Sequence, residues 1–447
     1  MKLSKPMKRY SEYKDSGVKW LGEIPNHWEM KRVGKICNFS KGLQITKADL
    51  VYDGVPVVSY GQVHAKYNTR THLSSDMIRY VPESYKNNTS KVQIGEFIVA
   101  DTSEDIEGCG NMAYNDCENN LYAGYHTIII KNVKYDYPKY LAYFFNSLSW
   151  RSQIRSLVNG VKVYTINRTI LKGTFTLLPT KQEQEAIVDY LDNVTSKIDI
   201  AITQQQKMIE LLNERKQIII NNAVTKGLNP NVQMKDSGIE WIGEIPEHWG
   251  IMKLKHCSRT NSGSTPKVIL GKDNPKSSIK WVRTTDLSNN IIYDTTEYLS
   301  SLEMKSASCP MLSKDTVLIS MYGGAGSFGK LGILGLEATI NQAICSISCN
   351  ESVLPKFMFY YLQSIRPIWM KFAASTRKDP NLNQETIKNI HVVLPRTKEQ
   401  EKIVDYIEQE IKKIDSIVYS TNKQIALLQE RKQIITNDVV TGKVKVI

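Results

Sequence analysis

Several absences narrow what this chain can be. No uninterrupted apolar run reaches membrane-span length. The opening MKLSKPMKRYSEYKDSG lacks the apolar core of a secretory signal, so the expected setting is cytoplasmic, with no membrane. The seven cysteines (Cys37, Cys109, Cys117, Cys257, Cys309, Cys345, Cys349) are odd in number and form no C-x-x-C pair. No histidine pair stands near them at zinc spacing, so free thiols and no metal are expected.

Catalytic signatures are missing too. There is no G-x-x-x-x-G-K-[ST] phosphate loop. Asn229-Pro230, Asn274-Pro275 and Asp379-Pro380 do not continue into the Pro-aromatic pair of an amino-methyltransferase, and no P-D…E-x-K nuclease arrangement is evident. Gly324-Ala-Gly326-Ser-Phe-Gly329 matches G-x-G-x-x-G, but Gly332 and Gly335 break the helix that a dinucleotide site needs. It reads as a tight loop between strands. The seven histidines are dispersed; His27 and His248 sit in a repeated Pro-x-His-Trp turn and are read as structural, beside a half-buried Trp. The chain is read as non-catalytic.

What is present begins with charge. The formal net charge is +13, and its distribution is uneven. Residues 1–180 carry 24 Lys/Arg against 16 Asp/Glu, and residues 234–395 carry 18 against 14. Those two segments hold twelve of the thirteen excess charges, which favours a polyanionic partner.

The sequence is also written twice. Lys14-Asp-Ser-Gly-Val-Lys-Trp-Leu-Gly-Glu-Ile-Pro-Asn-His-Trp28 returns as Lys235–Trp249 with eleven of fifteen positions identical. Leu178-Pro179 with Glu183-Gln184-Glu185 returns as Leu394-Pro395 with Glu399-Gln400-Glu401. Glu214-Arg-Lys-Gln-Ile-Ile219 returns as Glu430–Ile435. Between the matches the copies diverge. Ser40-Lys41-Gly42 and Val55–Ser59 correspond only in pattern to Gly263-Ser264-Thr265-Pro266 and Ile279–Arg283. Equivalent scaffolds therefore present different surfaces.

Residues 181–222 and 397–438 read as long helices. Thr180-x-x-Glu183 and Thr397-x-x-Gln400 look like capping boxes, and Gly227 and Gly442 lie beyond the ends. Ile198, Ile202, Gln205, Ile209, Leu212, Lys216 and Ile219 fall at spacings of four and three, as do Ile414, Val418, Thr421, Ile425, Leu428, Lys432 and Ile435. One narrow seam buries itself against another helix, so the two helices pair, in a direction the sequence leaves open. The divergent segments read as mixed and β-rich, with strands such as Phe97–Val99, Thr127–Ile130, Thr316–Ile319 and Ile344–Ile347 and short helices at Lys139–Ser147 and Lys356–Ser364. The domain reading is 1–180, long helix 181–226, linker 227–233, second domain 234–395, and helix with tail 396–447.

The repeated Gly-Glu-Ile-Pro-x-His-Trp, Leu-Pro-x(3)-Glu-Gln and Glu-Arg-Lys-Gln-Ile-Ile segments resemble the specificity subunits of type I restriction–modification systems, over essentially the whole chain. The resemblance implies an α+β fold of two target recognition domains. These are separated by helices packed as an antiparallel coiled-coil spacer, a pseudo-twofold repeat with half-sites on the order of 10 bp apart. It implies double-stranded DNA, two modification (methyltransferase) subunits and restriction (endonuclease/translocase) subunits as partners. S-adenosylmethionine, ATP and Mg would belong to those partners, and this chain would carry no cofactor.

Candidate DNA-contacting residues, chosen as basic or polar groups beside strand ends and glycine turns, are Lys41, Gln44, Lys47, Tyr60, Gln62 and Lys162 in the first domain. In the second they are Lys267, Lys280, Arg283, Thr285, Lys330, Arg377 and Lys378. Glu214, Arg215, Lys216, Glu430, Arg431 and Lys432 form either a solvated helix face or a repeated docking surface for two identical partners. Two other classes remain: a coiled-coil adaptor that binds no DNA, and a fused methylating nuclease.

Overall fold

The computed structural model describes residues 8–446 apart from 19, 67, 132–136, 161, 270, 272–276, 323–327 and 373–380. The chain divides into two compact units, Met1–Gln205 with Lys423–Ile447, and Gln206–Asn422. The division between the units falls in mid-helix, because each unit uses part of both long helices.

The first unit starts with a hairpin, Tyr13–Asp15 against Glu23–Pro25. An antiparallel four-stranded sheet follows in the order Met112–Tyr114, Phe97–Ala100, Thr127–Lys131, Asn38–Lys41. A second four-stranded sheet runs Arg79–Val81, Val55–Val58, Leu121–Ala123, Lys91–Val92, with its middle pair parallel. Glu29–Arg32 pairs with Phe175–Leu178 and closes the domain at the foot of the long helix. These strands are apolar and β-branched because both faces are covered: Phe97, Ile98 and Val99 are all fully buried. The helix Pro138–Asn146 adds Tyr140, Leu141, Phe144 and Phe145 to the same core.

The second unit repeats this plan. Its hairpin is Met234–Asp236 with Glu244–Pro246, and its closing ladder is Gly250–Lys253 with His391–Leu394. A five-stranded sheet runs Ser258–Ser262, Ile344–Cys349, Val317–Ser320, Leu331–Leu334, Asn290–Ile292. A three-stranded sheet contains the parallel pair Ser277–Val282 and Thr339–Ile340. Gly42 and Gly263 are equivalent and indispensable for the same reason. A Cβ on either would lie about 2 Å from a backbone carbonyl, 2.0 Å from that of Gly124 and 1.9 Å from that of Ile340.

The long helices are Lys181–Lys226 and Thr397–Val440. The seam read from sequence is the buried stripe: Ile198, Ile414, Thr421 and Ile425 are buried, and the other seam residues are half-buried. In the first unit Asp199 meets Lys432 and Gln205 meets Gln424, so the helix segments run antiparallel. In the second, Lys216 meets Asp415, and Gly227 lies beside Glu399, which again requires antiparallel packing. Gly227 and Gly442 take φ of +73° and +74°, the left-handed turn that ends a helix.

The start of each long helix is locked the same way. Thr180 and Glu183 form the capping box, and Glu183 also accepts from Trp28 Nε1 and contacts His27 Nε2. Glu399 holds Trp249 and His248 likewise. Both tryptophans are fully buried, not half-buried. The Thr397–Gln400 box does not form. Thr397 is already helical, and Gln400 donates instead to the carbonyls of Pro395 and Ser352. The equivalent of Thr180 is Arg396, one position earlier, which has no short hydroxyl to cap with.

Candidate nucleic-acid interface

In each unit the parallel strand pair ends at a loop that carries sequence-derived candidates. In the first, Gly124 N–H donates to Val58 O at 2.8 Å, and the chain turns into the short helix Tyr60–Val63. One bond from backbone to side chain fixes that turn, Ser59 N–H donating to Gln62 Oε1 at 3.2 Å. Gln62 therefore shapes the loop, and Tyr60 stands at its head. The Tyr60 ring meets Tyr125, His126 and His64 edge-on, at centroid distances of 5.5, 5.5 and 6.2 Å.

Beneath Tyr60 the polarity of one hydrogen-bond chain is forced. Arg151 can only donate, so Asn111 Oδ1 accepts from its guanidinium at 2.8 Å. Asn111 Nδ2 must then donate to His64 Nδ1 at 3.0 Å, which leaves His64 Nε2–H to donate to Thr102 O at 2.8 Å. These bonds select one His64 tautomer, with its proton on Nε2. Burial lowers the Arg151 pKa to about 9, with Arg70 and Arg155 adding to the effect, so it remains charged at neutral pH.

Tyr60, His64, Thr102, Asn111 and His126 border a cavity of about 650 Å³, also lined by Arg70, Ser103, Glu104, Asp105, Glu107 and Val163. Exposed Lys162 precedes Val163 at its edge. Lys41 and Gln44 line a separate hollow of about 490 Å³ with Lys86 and Asn87. Lys47 is exposed and opens the single turn Lys47–Asp49.

In the second unit the matching loop is Arg283–Asp286, where Arg283 N–H donates to Asp286 Oδ2 at 2.8 Å. The Arg283 guanidinium reaches Thr296 at 3.0 Å and Glu297 at 3.5 Å. Lys280 pairs with Asp294 at 3.0 Å and lies over the Tyr298 ring. The hydrogen bond from Tyr298 and then that from Lys280 hold the Asp294 carboxyl well below the usual carboxylate range. Thr285 and Lys267 are exposed, and Lys330 is half-buried just before the strand Leu331–Leu334. Arg377, Lys378 and most of the Gly324–Gly329 motif lie outside the described residues.

Of the first-unit candidates the structure thus puts Tyr60 in the cavity wall, with Gln62 in the same short helix and Lys162 next to the lining residue Val163, and it sets Lys280, Arg283 and Thr285 along one strand end. It leaves Lys41, Gln44 and Lys47 on a neighbouring surface. Arg70, His64, Asn111 and His126 were missed in the sequence because nothing local marks them. On the helices, Glu214, Arg215, Glu430 and Arg431 are exposed, whereas Lys216 and Lys432 pair with Asp415 and Asp199 of the opposite helix. Exposed Leu211 and Ile218 flank the first cluster, as Leu427 and Ile434 flank the second. No described helix is long and apolar enough to cross a membrane, and no metal-binding cluster occurs among the described residues.

Comparison with known proteins matches residues 25–211 and 246–427 to the family described as type I restriction modification DNA specificity domain. A Methanocaldococcus jannaschii protein named type I restriction enzyme MjaVIII specificity subunit is 23% identical, over 97% of each chain. The Escherichia coli protein named type I restriction enzyme EcoBI specificity subunit is 22% identical, over 96% of this chain and 89% of that one. A solved structure concerned with complex assembly and conformational transition of the type I R-M system contains a chain of like fold. Its TM-score is 0.69 at 15% identity, over 93% of this chain and 98% of that one.

Proposed function

The chain belongs to the type I restriction modification DNA specificity family, whose domain it carries twice, and from that premise we propose how it works. Each unit reads one part of a bipartite, asymmetric DNA site, and the chain itself catalyses nothing. The observation that carries this is the loop after the parallel strand pair. Its backbone is fixed by the same bond in both units, from a backbone N–H to the side chain three residues on, Ser59 to Gln62 and Arg283 to Asp286, while the side chains it presents differ. Equivalent scaffolds with unlike reading heads suit two unlike half-sites.

Lys41, Lys47 and Lys162 would neutralise phosphates and set register, and Tyr60, Arg283 and Thr285 would face the bases. The paired helices set the gap. Two methyltransferase subunits dock on the chain, for which the exposed Glu214–Arg215 and Glu430–Arg431 clusters are suited, and restriction subunits complete the assembly. S-adenosylmethionine, ATP and Mg are held by those partners, in the cytoplasm. The test is co-expression with the partner methyltransferase in a methylation-free host, followed by mapping of modified adenines across the genome. One interrupted asymmetric motif, absent without this chain, is expected. Its absence beside an active, bound partner would favour a coiled-coil adaptor instead.

A further inference from the structure

We propose that the cavity beneath Tyr60 receives a single base lifted out of the DNA stack in the first half-site. This rests on the DNA-reading function proposed above. Base edges within a duplex are reached by side chains that protrude into a groove. A hollow of about 650 Å³ works the other way, admitting only what leaves the helix, and an extruded base is the part of DNA that can do so.

The lining fits a base better than a phosphate. Tyr60 and His126 supply aromatic surface for stacking, which any base can use. Glu104 and Asp105 stand in the wall, while Glu107 there is paired with Arg155 at 2.9 Å. Carboxylates accept hydrogen bonds from exocyclic amino groups, so adenine, cytosine or guanine is favoured over thymine.

The backbone carries a second sign of function. Five described non-glycine residues take a positive φ, and two of them, Arg70 at +69° and His126 at +53°, line this cavity. Burial and the like charge of Arg155 oppose the Arg70 guanidinium, yet it is kept at the wall. Residues held in unfavourable conformations at one place mark a site whose geometry matters. The Arg151–Asn111–His64–Thr102 chain then fixes the wall before any ligand arrives. In the second unit Thr284 follows the equivalent cap residue, Arg283, where Tyr60 follows Ser59, so no stacking ring stands at the matching position. Extrusion is confined to the first half-site.

The test uses the full chain assembled with its methyltransferase, and duplexes carrying 2-aminopurine or pyrrolocytosine at successive positions of the mapped site. Fluorescence reports unstacking, and anisotropy on the same samples reports binding. A several-fold rise is expected at one first-half position other than a methylated adenine. It should persist in Tyr60→Phe and vanish in Tyr60→Ala and in His126→Ala, each checked for an unchanged melting curve. Specific binding with rises only at methylated adenines overturns the proposal, as does a rise that Tyr60→Ala leaves intact. Loss of specific binding by the unaltered chain would instead overturn the DNA-reading function itself.

Discussion

Trp28 donates its indole N–H to Glu183 at 3.3 Å although 155 residues separate them, and His27 contacts the same carboxylate at 2.9 Å. The pairing ties the start of the domain to the start of the long helix. Burial pushes the Glu183 carboxyl up, but the bonds from His27, Thr180 and Trp28 outweigh it and leave its pKa below 4.5. A depressed carboxyl stabilises the fold fully above its unfolded pKa and loses that contribution as pH falls through the folded value. Glu183→Ala should cost about 2 kcal/mol by leaving the buried indole N–H unpaired. Glu183→Gln should cost less at neutral pH and flatten the loss of stability between about pH 5 and 3. Thermal unfolding across that range is the check, and an acid limb unchanged in Glu183→Gln would show that the carboxylate contributes nothing.

The helix seam mixes apolar and charged positions of very unequal worth. Ile198 and Ile425 are each 8% exposed, so truncation to Ala should cost about 2–4 kcal/mol through lost burial and a residual cavity. Lys216 and Asp415 have side chains 27% and 55% exposed, and water screens their pair. Lys216→Met should change stability by less than about 1 kcal/mol. Chemical denaturation of the three variants ranks them, and a Lys216→Met loss as large as that of Ile198→Ala would refute the ranking.

Periodicity made the seam, the helix ends and the repeated His-Trp turn legible, because each is written within a few consecutive residues. The second cap was misplaced by one position, since Thr397 imitates Thr180 while the true equivalent, Arg396, has no capping hydroxyl. The closure of the first unit was hidden. Lys8 bridges Lys445, and Tyr13 OH donates to Gly442 O across 429 residues, a pairing no local pattern announces. The cavity beneath Tyr60 was hidden for the same reason. Its wall comes from residues 60–64, 70, 102–111, 126 and 163, and what joins them is the parallel pairing of Val55–Val58 with Leu121–Ala123.

All seven cysteines are free, and their exposure separates them. Cys37 and Cys345 are buried, with thiols pushed up to about 12 by that burial, and Cys117 is the exposed one. Thiolate is the reactive form, so native protein at pH 8 should alkylate first at Cys117 and label the rest only on unfolding. Peptide mapping after brief iodoacetamide treatment reads this directly. Rapid labelling of Cys37 or Cys345 would mean that the cores open far more readily than their packing implies.

The duplication predicts modular reading. Residues 234–395 hold the second hairpin, both second-unit sheets and the Arg283 loop. Replacing them with the matching segment of another family member should change one half of the methylated motif and leave the other half intact. Genome-wide methylation mapping distinguishes the outcomes, and a change in both halves would show that each base contact depends on the whole chain.

The helices predict a ruler. Seven residues inserted after Thr203 preserve the spacing of the seam, provided seven more enter the second helix opposite them, near Leu427. Each insertion adds about 10 Å at 1.5 Å per residue, close to three base pairs of duplex at 3.4 Å each. The gap between half-sites should therefore lengthen by about 3 bp, with both half-sites themselves unchanged. Insertion in one helix alone should instead mispair Asp199 with Lys432 or Lys216 with Asp415 and lower stability. Methylation that persists at the original gap after the matched insertion would show that the spacing is set elsewhere than in the paired helices.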